Sequence, residues 1–243
     1  MGRFGGGGRA RVVKQDDTPR PFVVGVIDSG IHAGHPHVGA VAPGAGFDND
    51  GGVREDVVDR LGHGTAVAAA IQDLAPSVEV CPLRVFDRTL DTSVAALVAA
   101  IDWAAMHGLP LVNLSLGTRD RSRAGALSDA VGRAHRAGTL VVAAGCDRGV
   151  GWLPGTLDLD GVIRVEIDWA CQRGSHRVMG PPEAPVFRTC GYPRPIPGVD
   201  PERNLKGLSF AVANVTGIAA RAMMETGLSS HAAVATELRR RAR

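Results

Sequence analysis

The sequence predicts an α/β domain with a doubly wound, mainly parallel sheet flanked by helices. Continuous apolar runs, typical of strands buried on both faces of a parallel sheet, alternate along the chain with segments of helical periodicity. A chain of 243 residues with 44% hydrophobic residues suffices for one such domain. The Gly-rich, charged residues 1–20 show no periodicity and are predicted to form a flexible arm, which leaves residues 21–243 for the domain.

The elements follow one another as the alternation requires. Predicted strands cover residues 22–27, 78–85, 109–116, 139–144 and 162–167. Five helices are predicted. The first begins at His63, the second covers 92–107 with Asp91 or Thr92 as its cap, and the third covers 123–136. The fourth runs from Ser209 to about Met224, and the fifth follows a cap at Ser229 or Ser230. Between 169 and 206 prolines are frequent and no period survives, so this stretch is predicted to be a long irregular loop on the substrate side.

Three polar side chains stand at the ends of these elements. Asp28 ends the first strand, at the edge where ligands bind in open α/β sheets. His63 starts a small-residue helix, and Ser209 starts another. A hydroxyl at a helix N-terminus suits a nucleophile, because free N–H groups and the positive dipole end stabilise an oxyanion. Ser209 as a plain helix cap is the alternative.

These residues lie in sequence blocks that resemble a known family. VIDSGI around Asp28, GHGTAVA around His63 and GLSFAVANVTG around Ser209 resemble the three signature blocks of the subtilisin-like serine proteases. NLSLG, residues 113–117, is similar to the family's substrate-binding edge strand, and LVVAAG, residues 140–145, to the strand that leads to its oxyanion hole. The resemblance covers about residues 22–225.

The resemblance implies a mechanism and a set of site residues. Asp28, His63 and Ser209 would form a catalytic triad, in which His63 takes the proton of Ser209 and Asp28 orients the imidazole. An extended peptide or protein substrate would pair with the backbone as an added strand, and no cofactor is expected. The substrate-binding residues implied are Ser115, Leu116, Gly117, Ala144 and Gly145.

The sequence departs from the family at the oxyanion hole. The residue after Gly145 should be an Asn, but Cys146 stands there, followed by Asp147, and a thiol is a weak donor. Cys146 is the oxyanion-hole candidate, and the substitute donors left open are a bound water, Asn214 and a group of the proline-rich loop. The sequence therefore favours a slow, selective endopeptidase, such as one that removes the leader of a ribosomally made peptide. The alternative is a pseudoprotease that binds peptides without turnover.

Other patterns have two interpretations each. His32, His35 and His37 could bind a metal or form a structural turn, and residues 48–52 could bind calcium or form an Asx turn. Residues 239–241, three arginines, could contact nucleic acid or stabilise a helix C-terminus. The turn interpretations are favoured, so no metal is expected. Since the net charge is only +2, we also expect no nucleic-acid and no membrane partner.

The compartment is predicted from what the sequence lacks. No segment approaches the ~20 apolar residues of a membrane span, and the N-terminus has no apolar stretch typical of a signal peptide. The four cysteines have no metal-type spacing. We therefore expect a cytoplasmic protein with four reduced thiols.

Overall fold

The computed structural model describes residues 21–243, so the arm predicted for residues 1–20 lies outside the described residues. The strands are β1 (Val23–Asp28), β2 (Ala45–Phe47), β3 (Val53–Arg54), β4 (Glu79–Arg84), β5 (Leu111–Leu114), β6 (Leu140–Ala144), β7 (Cys146–Asp147), β8 (Val150–Gly151), β9 (Val162–Ile167), β10 (Arg177–Met179) and β11 (Val186–Thr189). The helices are α1 (His63–Leu74), α2 (Val94–Met106), α3 (Ala124–Arg136), α4 (Leu208–Thr226) and α5 (His231–Arg241).

One nine-stranded sheet organises the fold, in the order β10-β11-β9-β6-β5-β1-β4-β2-β3. From β11 to β2 every neighbouring pair is parallel, whereas β10 and β3 pair antiparallel at the two edges. Helices α1, α4 and α5 pack on one face through residues such as Ile71, Ile218 and Val234. Helices α2 and α3 pack on the other face, through Ile101 and Leu127 among others. The doubly wound, mainly parallel fold predicted from the sequence is confirmed.

The sheet order determines where the polar side chains meet. Strands β1 and β5 are neighbours in parallel register, as are β5 and β6, so their carboxyl ends share one edge of the sheet. Asp28 ends β1, Ser115 follows β5, and residues 145–147 follow β6. Parallel strands expose their ligand-binding groups at this edge.

Two predictions about local structure were wrong. The cap of α2 is Ser93, whose side-chain oxygen accepts the Ala96 N–H at 3.0 Å, and not Asp91 or Thr92. The stretch 169–206 is not wholly irregular, because β10 and β11 lie within it and β11 extends the main sheet beside β9. Strands of three or four residues between prolines leave too little alternation to be recognised from sequence.

The predicted cap of α5 is confirmed at Ser230, which accepts the Ala233 N–H at 3.4 Å. All four cysteines are free thiols in the structure, and burial raises the pKa of Cys81 to about 12. Within residues 21–243, no helix is both long enough and apolar enough to cross a membrane.

Candidate active site

Asp28 and His63 form a tight pair at the carboxyl edge of the sheet. Asp28 is fully buried, and its Oδ1 lies 2.7 Å from His63 Nδ1. The same oxygen accepts the Ser29 N–H at 2.8 Å, and Oδ2 accepts the Ser115 hydroxyl at 3.0 Å. A buried carboxylate is tolerated only when its oxygens are satisfied in this way. The pair therefore fixes the imidazole and leaves its Nε2 for chemistry.

Two glycines on either side of His63 allow α1 to approach β1 closely. Gly62 caps the helix with φ +79°, a conformation that favours glycine. A Cβ on Gly64 would lie 2.2 Å from the Gly30 carbonyl oxygen, so no larger residue fits there. The GHG sequence thus brings the histidine at the start of α1 into contact with the end of β1.

Asp59, a residue that the sequence analysis missed, holds the segment before α1. Its Oδ1 accepts the Ser29 hydroxyl at 2.8 Å and the N–H groups of Leu61 and Gly62 at 2.9 and 2.8 Å. Its Oδ2 accepts the N–H and the hydroxyl of Thr65, at 2.9 and 2.6 Å. An Asp three residues before a helix-starting glycine is Asx-turn chemistry, and that pattern could have identified it.

The charges around His63 make its imidazole easier to protonate than that of a histidine in water. Burial lowers the pKa of His63, but the hydrogen bond and charge of Asp28, together with the charge of Asp59, outweigh it and leave this pKa above its ordinary value. Burial raises the pKa of Asp59, yet the hydrogen bonds from Thr65, Leu61 and Ser29 lower it overall. The lowered pKa of Asp59 favours its ionised form, whose charge acts on His63.

Ser209 lies at the second position of α4. The cap is Gly207, with φ +151°, so the alternative of Ser209 as a plain helix cap is wrong. The Ser209 hydroxyl donates to the Ser115 carbonyl oxygen at 3.3 Å, and among the described residues no hydrogen bond joins it to His63. The earliest helical N–H groups with carbonyl partners are those of Phe210 and Ala211, which leaves the Ser209 N–H free at the helix N-terminus.

His63 and Ser209 line one cleft of about 340 Å³. Four of the five implied substrate-binding residues line it too: Ser115, Leu116, Gly117 and Ala144. Gly145 does not, since its N–H donates to Val165 O at 2.8 Å and its carbonyl accepts the Trp152 N–H at 2.9 Å.

The side chains of Cys146 and Asn214 are engaged elsewhere and are not positioned as oxyanion donors. The Cys146 thiol accepts a hydrogen bond from Arg164 at 3.4 Å and does not line the cleft, whereas Asp147 does. The Asn214 amide donates to the carbonyl oxygens of Cys190 and Tyr192, at 3.1 and 2.9 Å, so it is not available as a substitute donor. The Ser209 N–H, which has no carbonyl partner among the described residues, remains the candidate oxyanion donor in this region.

The other polar patterns have structural partners. Asp48 Oδ1 accepts the N–H groups of Asp50 and Gly52, which makes residues 48–52 an Asx turn. His35 Nδ1 accepts the His37 N–H at 3.2 Å. In the part of the chain that the structure describes, no group of three His, Cys, Asp or Glu side chains is arranged to hold a metal ion.

Known protein sequences are similar to this chain over most of its length. Residues 20–163 match the subtilase family, a range that includes Asp28 and His63. The thermostable alkaline protease of Halalkalibacterium halodurans is 32% identical over 213 residues, which cover 81% of this chain and 55% of that protein. Subtilisin DY of Bacillus licheniformis is 32% identical over 217 residues, which cover 81% of this chain and 74% of that protein.

Solved structures share the fold. Sphericase superimposes with a TM-score of 0.69 at 22% identity, over 93% of this chain and 86% of its own. A lanthipeptide protease has a TM-score of 0.65 at 20% identity, over 88% and 78%. The nisin leader peptidase of Lactococcus lactis has a TM-score of 0.63 at 20% identity, over 90% and 81%. With these sequence matches, the chain belongs to the subtilase family of subtilisin-like serine endopeptidases.

Proposed function

We propose that this chain hydrolyses peptide bonds with Asp28, His63 and Ser209 as its catalytic triad. The observation that carries the proposal is the 2.7 Å contact of Asp28 with His63 Nδ1, beside a cleft that Ser209 also lines. By accepting a hydrogen bond from Nδ1–H, the Asp28 carboxylate selects the tautomer whose Nε2 is unprotonated. That nitrogen is the general base for the serine hydroxyl.

The Ser209 hydroxyl reaches this base by a side-chain rotation when substrate arrives. Without substrate it is bonded to the Ser115 carbonyl oxygen at 3.3 Å. An extended peptide that pairs with residues 115–117 would donate its own N–H to that oxygen and release the hydroxyl toward His63. Catalytic hydrogen bonds often tighten only in the substrate complex.

The reaction then follows the acyl-transfer sequence. Ser209 Oγ bonds to the substrate carbonyl carbon while its proton moves to His63 Nε2, and the oxyanion faces the Ser209 N–H at the start of α4. The C–N bond breaks and His63 delivers the proton to the leaving amine. Water then attacks the acyl carbon and gives its proton to His63, the bond from this carbon to Ser209 Oγ breaks, and His63 returns the proton to Ser209 as the carboxylic acid leaves.

We propose selective processing of one peptide or protein, such as leader removal from a ribosomally made peptide, in the cytoplasm. Two structural neighbours, the lanthipeptide protease and the nisin leader peptidase, support this class of substrate by fold analogy. The four free thiols are compatible with a reducing compartment.

The test is hydrolysis of a set of unstructured peptides by the wild-type chain and by Ser209→Ala, with products identified by mass spectrometry. We expect cleavage by the wild type and none by Ser209→Ala. Ser122→Ala, which removes an exposed serine outside the cleft, is the matched control and should cleave normally. A folded wild type that binds peptides without cleaving them would favour the pseudoprotease.

A further inference from the structure

The charges along the cleft have one sign, which the proposed peptidase activity alone does not require. Apart from His63, the charged side chains of residues 21–243 that line the cleft are Asp91 and Asp147, and no Arg or Lys of this range lines it. Behind His63 lies a third carboxylate, that of Asp28, which the triad already uses. A cleft with walls of low dielectric constant focuses such charge on whatever enters it.

Within residues 21–243, neither Asp91 nor Asp147 has an ion-pair or hydrogen-bond partner for its side-chain carboxylate. The aspartates nearby are engaged: Asp56 pairs with Arg60, and Asp87 pairs with Arg60 and Arg84. A half-buried carboxylate that has no partner, in the same cleft as a nucleophile, receives little electrostatic stabilisation from the folded chain itself. Its natural counter-charge is a group on the substrate.

Asp147 has the more favourable surroundings of the two. It is half-buried, follows Cys146 directly, and shares the cleft with Ser209 and the indole of Trp152. Asp91 is exposed and also borders a second depression that contains several arginines, which weakens its field. Three cations on the Asp147 side lie outside the cleft: Arg148, the next residue in the chain, Arg164, which contacts the Cys146 thiol at 3.4 Å, and Arg119, whose guanidinium lies 5.5 Å from the Trp152 ring centroid.

The position of Asp147 also bears on catalysis. A carboxylate that lines the same cleft as Ser209 opposes the negative charge that develops on the substrate carbonyl oxygen. A cationic substrate side chain that pairs with Asp147 removes this penalty when the cleft is filled. Substrate charge would then increase kcat as well as lower KM, because the neutralised carboxylate matters most in the transition state.

We infer that the substrate carries a cationic side chain, of arginine or lysine, that pairs with Asp147 on the acyl side of the scissile bond, with Asp91 in a minor role. This inference rests on the proposed peptidase function. It identifies the substrate class as peptides with a basic residue next to the cleavage site.

The test compares two fluorogenic peptide amides that are identical except for the residue directly before the coumarin leaving group. One has arginine there, and the other has citrulline, its neutral analogue. For the wild type, we expect kcat/KM to be about 10- to 100-fold higher for arginine, the scale of a charge-assisted hydrogen bond. In Asp147→Asn this ratio should fall at least about fivefold, and in Asp147→Lys a glutamate substrate should replace arginine as the preferred one.

Asp158→Asn is the matched control, because Asp158 is an exposed aspartate outside the cleft. It should keep the wild-type ratio. Equal rates for arginine and citrulline, or a ratio unchanged by Asp147→Asn, would overturn the inference.

Labelling of Ser209 by a fluorophosphonate separates this result from failure of the proposed function, because the label needs no substrate side chain. A labelled enzyme without arginine preference retains the proposed function and refutes the inference. If neither labelling nor hydrolysis occurs, the peptidase proposal fails. Anisotropy of the two fluorescent peptides on the chain then tests the charge preference, and equal affinities refute it.

Discussion

The two walls of the cleft are built on different principles. On one wall, Asp28 is fully buried and both its oxygens are occupied. Asp59 accepts four hydrogen bonds from the segment around His63 and a fifth from Ser29. On the other wall, residues 145–153 form a small hairpin, in which the Cys146 thiol contacts Arg164 and the Asp147 carboxylate has no described partner. Many contacts fix the side chains of the first wall, whereas few contacts constrain those of the second.

This difference separates mechanism from selectivity. A buried ion pair loses much of its value when one partner is removed, because the remaining charge stays buried. The wall with Asp28 and His63 therefore tolerates little variation, and it retains the family's sequence pattern. The half-buried hairpin carries no such constraint, and there the chain departs from the family. We expect variants of the first wall to abolish catalysis and variants of the second to change substrate preference.

The largest effect is expected for His63→Ala. Without the base, the Ser209 hydroxyl cannot lose its proton in the attack, and kcat should fall about 10⁶-fold, the magnitude established for subtilisin, a member of this family. Single-turnover hydrolysis of a peptide ester or amide measures the loss. A residual rate within 10²-fold of wild type would mean that another group is the base.

A smaller but still severe loss is expected for Asp28→Asn. An amide at this position donates to His63 Nδ1 and holds the imidazole in the tautomer with a proton on Nε2, so the base is blocked. The loss should approach the roughly 10⁴-fold of the same change in other serine proteases. Proton NMR of the Nδ1–H signal, present in wild type and absent in the variant, checks the cause.

Asp59→Asn should act on the pH profile. Its charge helps to hold the pKa of His63 above the ordinary value of 6.5, and the base works only when neutral. Wild-type kcat/KM should therefore rise with pH through a pKa above 6.5, and the variant's acid limb should move to lower pH. We also expect kcat to fall by up to about 10²-fold, because the segment before α1 loses its anchor.

A structural loss alone would lower the rate without moving the acid limb. Thr65→Val is the matched comparison, since it removes one hydrogen bond to Asp59 and keeps the charge. Its acid limb should stay closer to that of the wild type. If the two variants shift the limb equally, the charge of Asp59 is not the cause.

The smallest effect is expected for Cys146→Asn. Since the Cys146 thiol contacts Arg164 and not the cleft, an Asn in the same orientation adds no donor to the oxyanion, and kcat should change by less than about 3-fold. A gain of about 10²–10³, the value of the side-chain amide in subtilisin itself, would show that the residue at this position enters the cleft.

The sequence alone was sufficient for the framework and for the pair of Asp28 and His63 on the first wall. Continuous apolar runs give the buried parallel strands, and the order of Asp28, His63 and Ser209 at element ends predicts that they meet at one edge. The Asx-turn pattern could have marked Asp59 as a turn residue, but its hydrogen bonds with Ser29 and Thr65 form only when the turn is folded. The direction of the Cys146 side chain depends on Arg164, which comes 18 residues later in the neighbouring strand β9. No local pattern encodes such a contact.

The central claim is that Ser209 is an activated nucleophile. The most direct measurement is the rate of fluorophosphonate labelling of the folded chain against pH, with the modified residue located by peptide mass spectrometry. We predict modification of Ser209 alone, at a rate that rises with pH through a pKa above 6.5 and is lost in His63→Ala. A folded chain whose Ser209 stays unlabelled throughout, or is labelled equally fast in His63→Ala, would contradict the account.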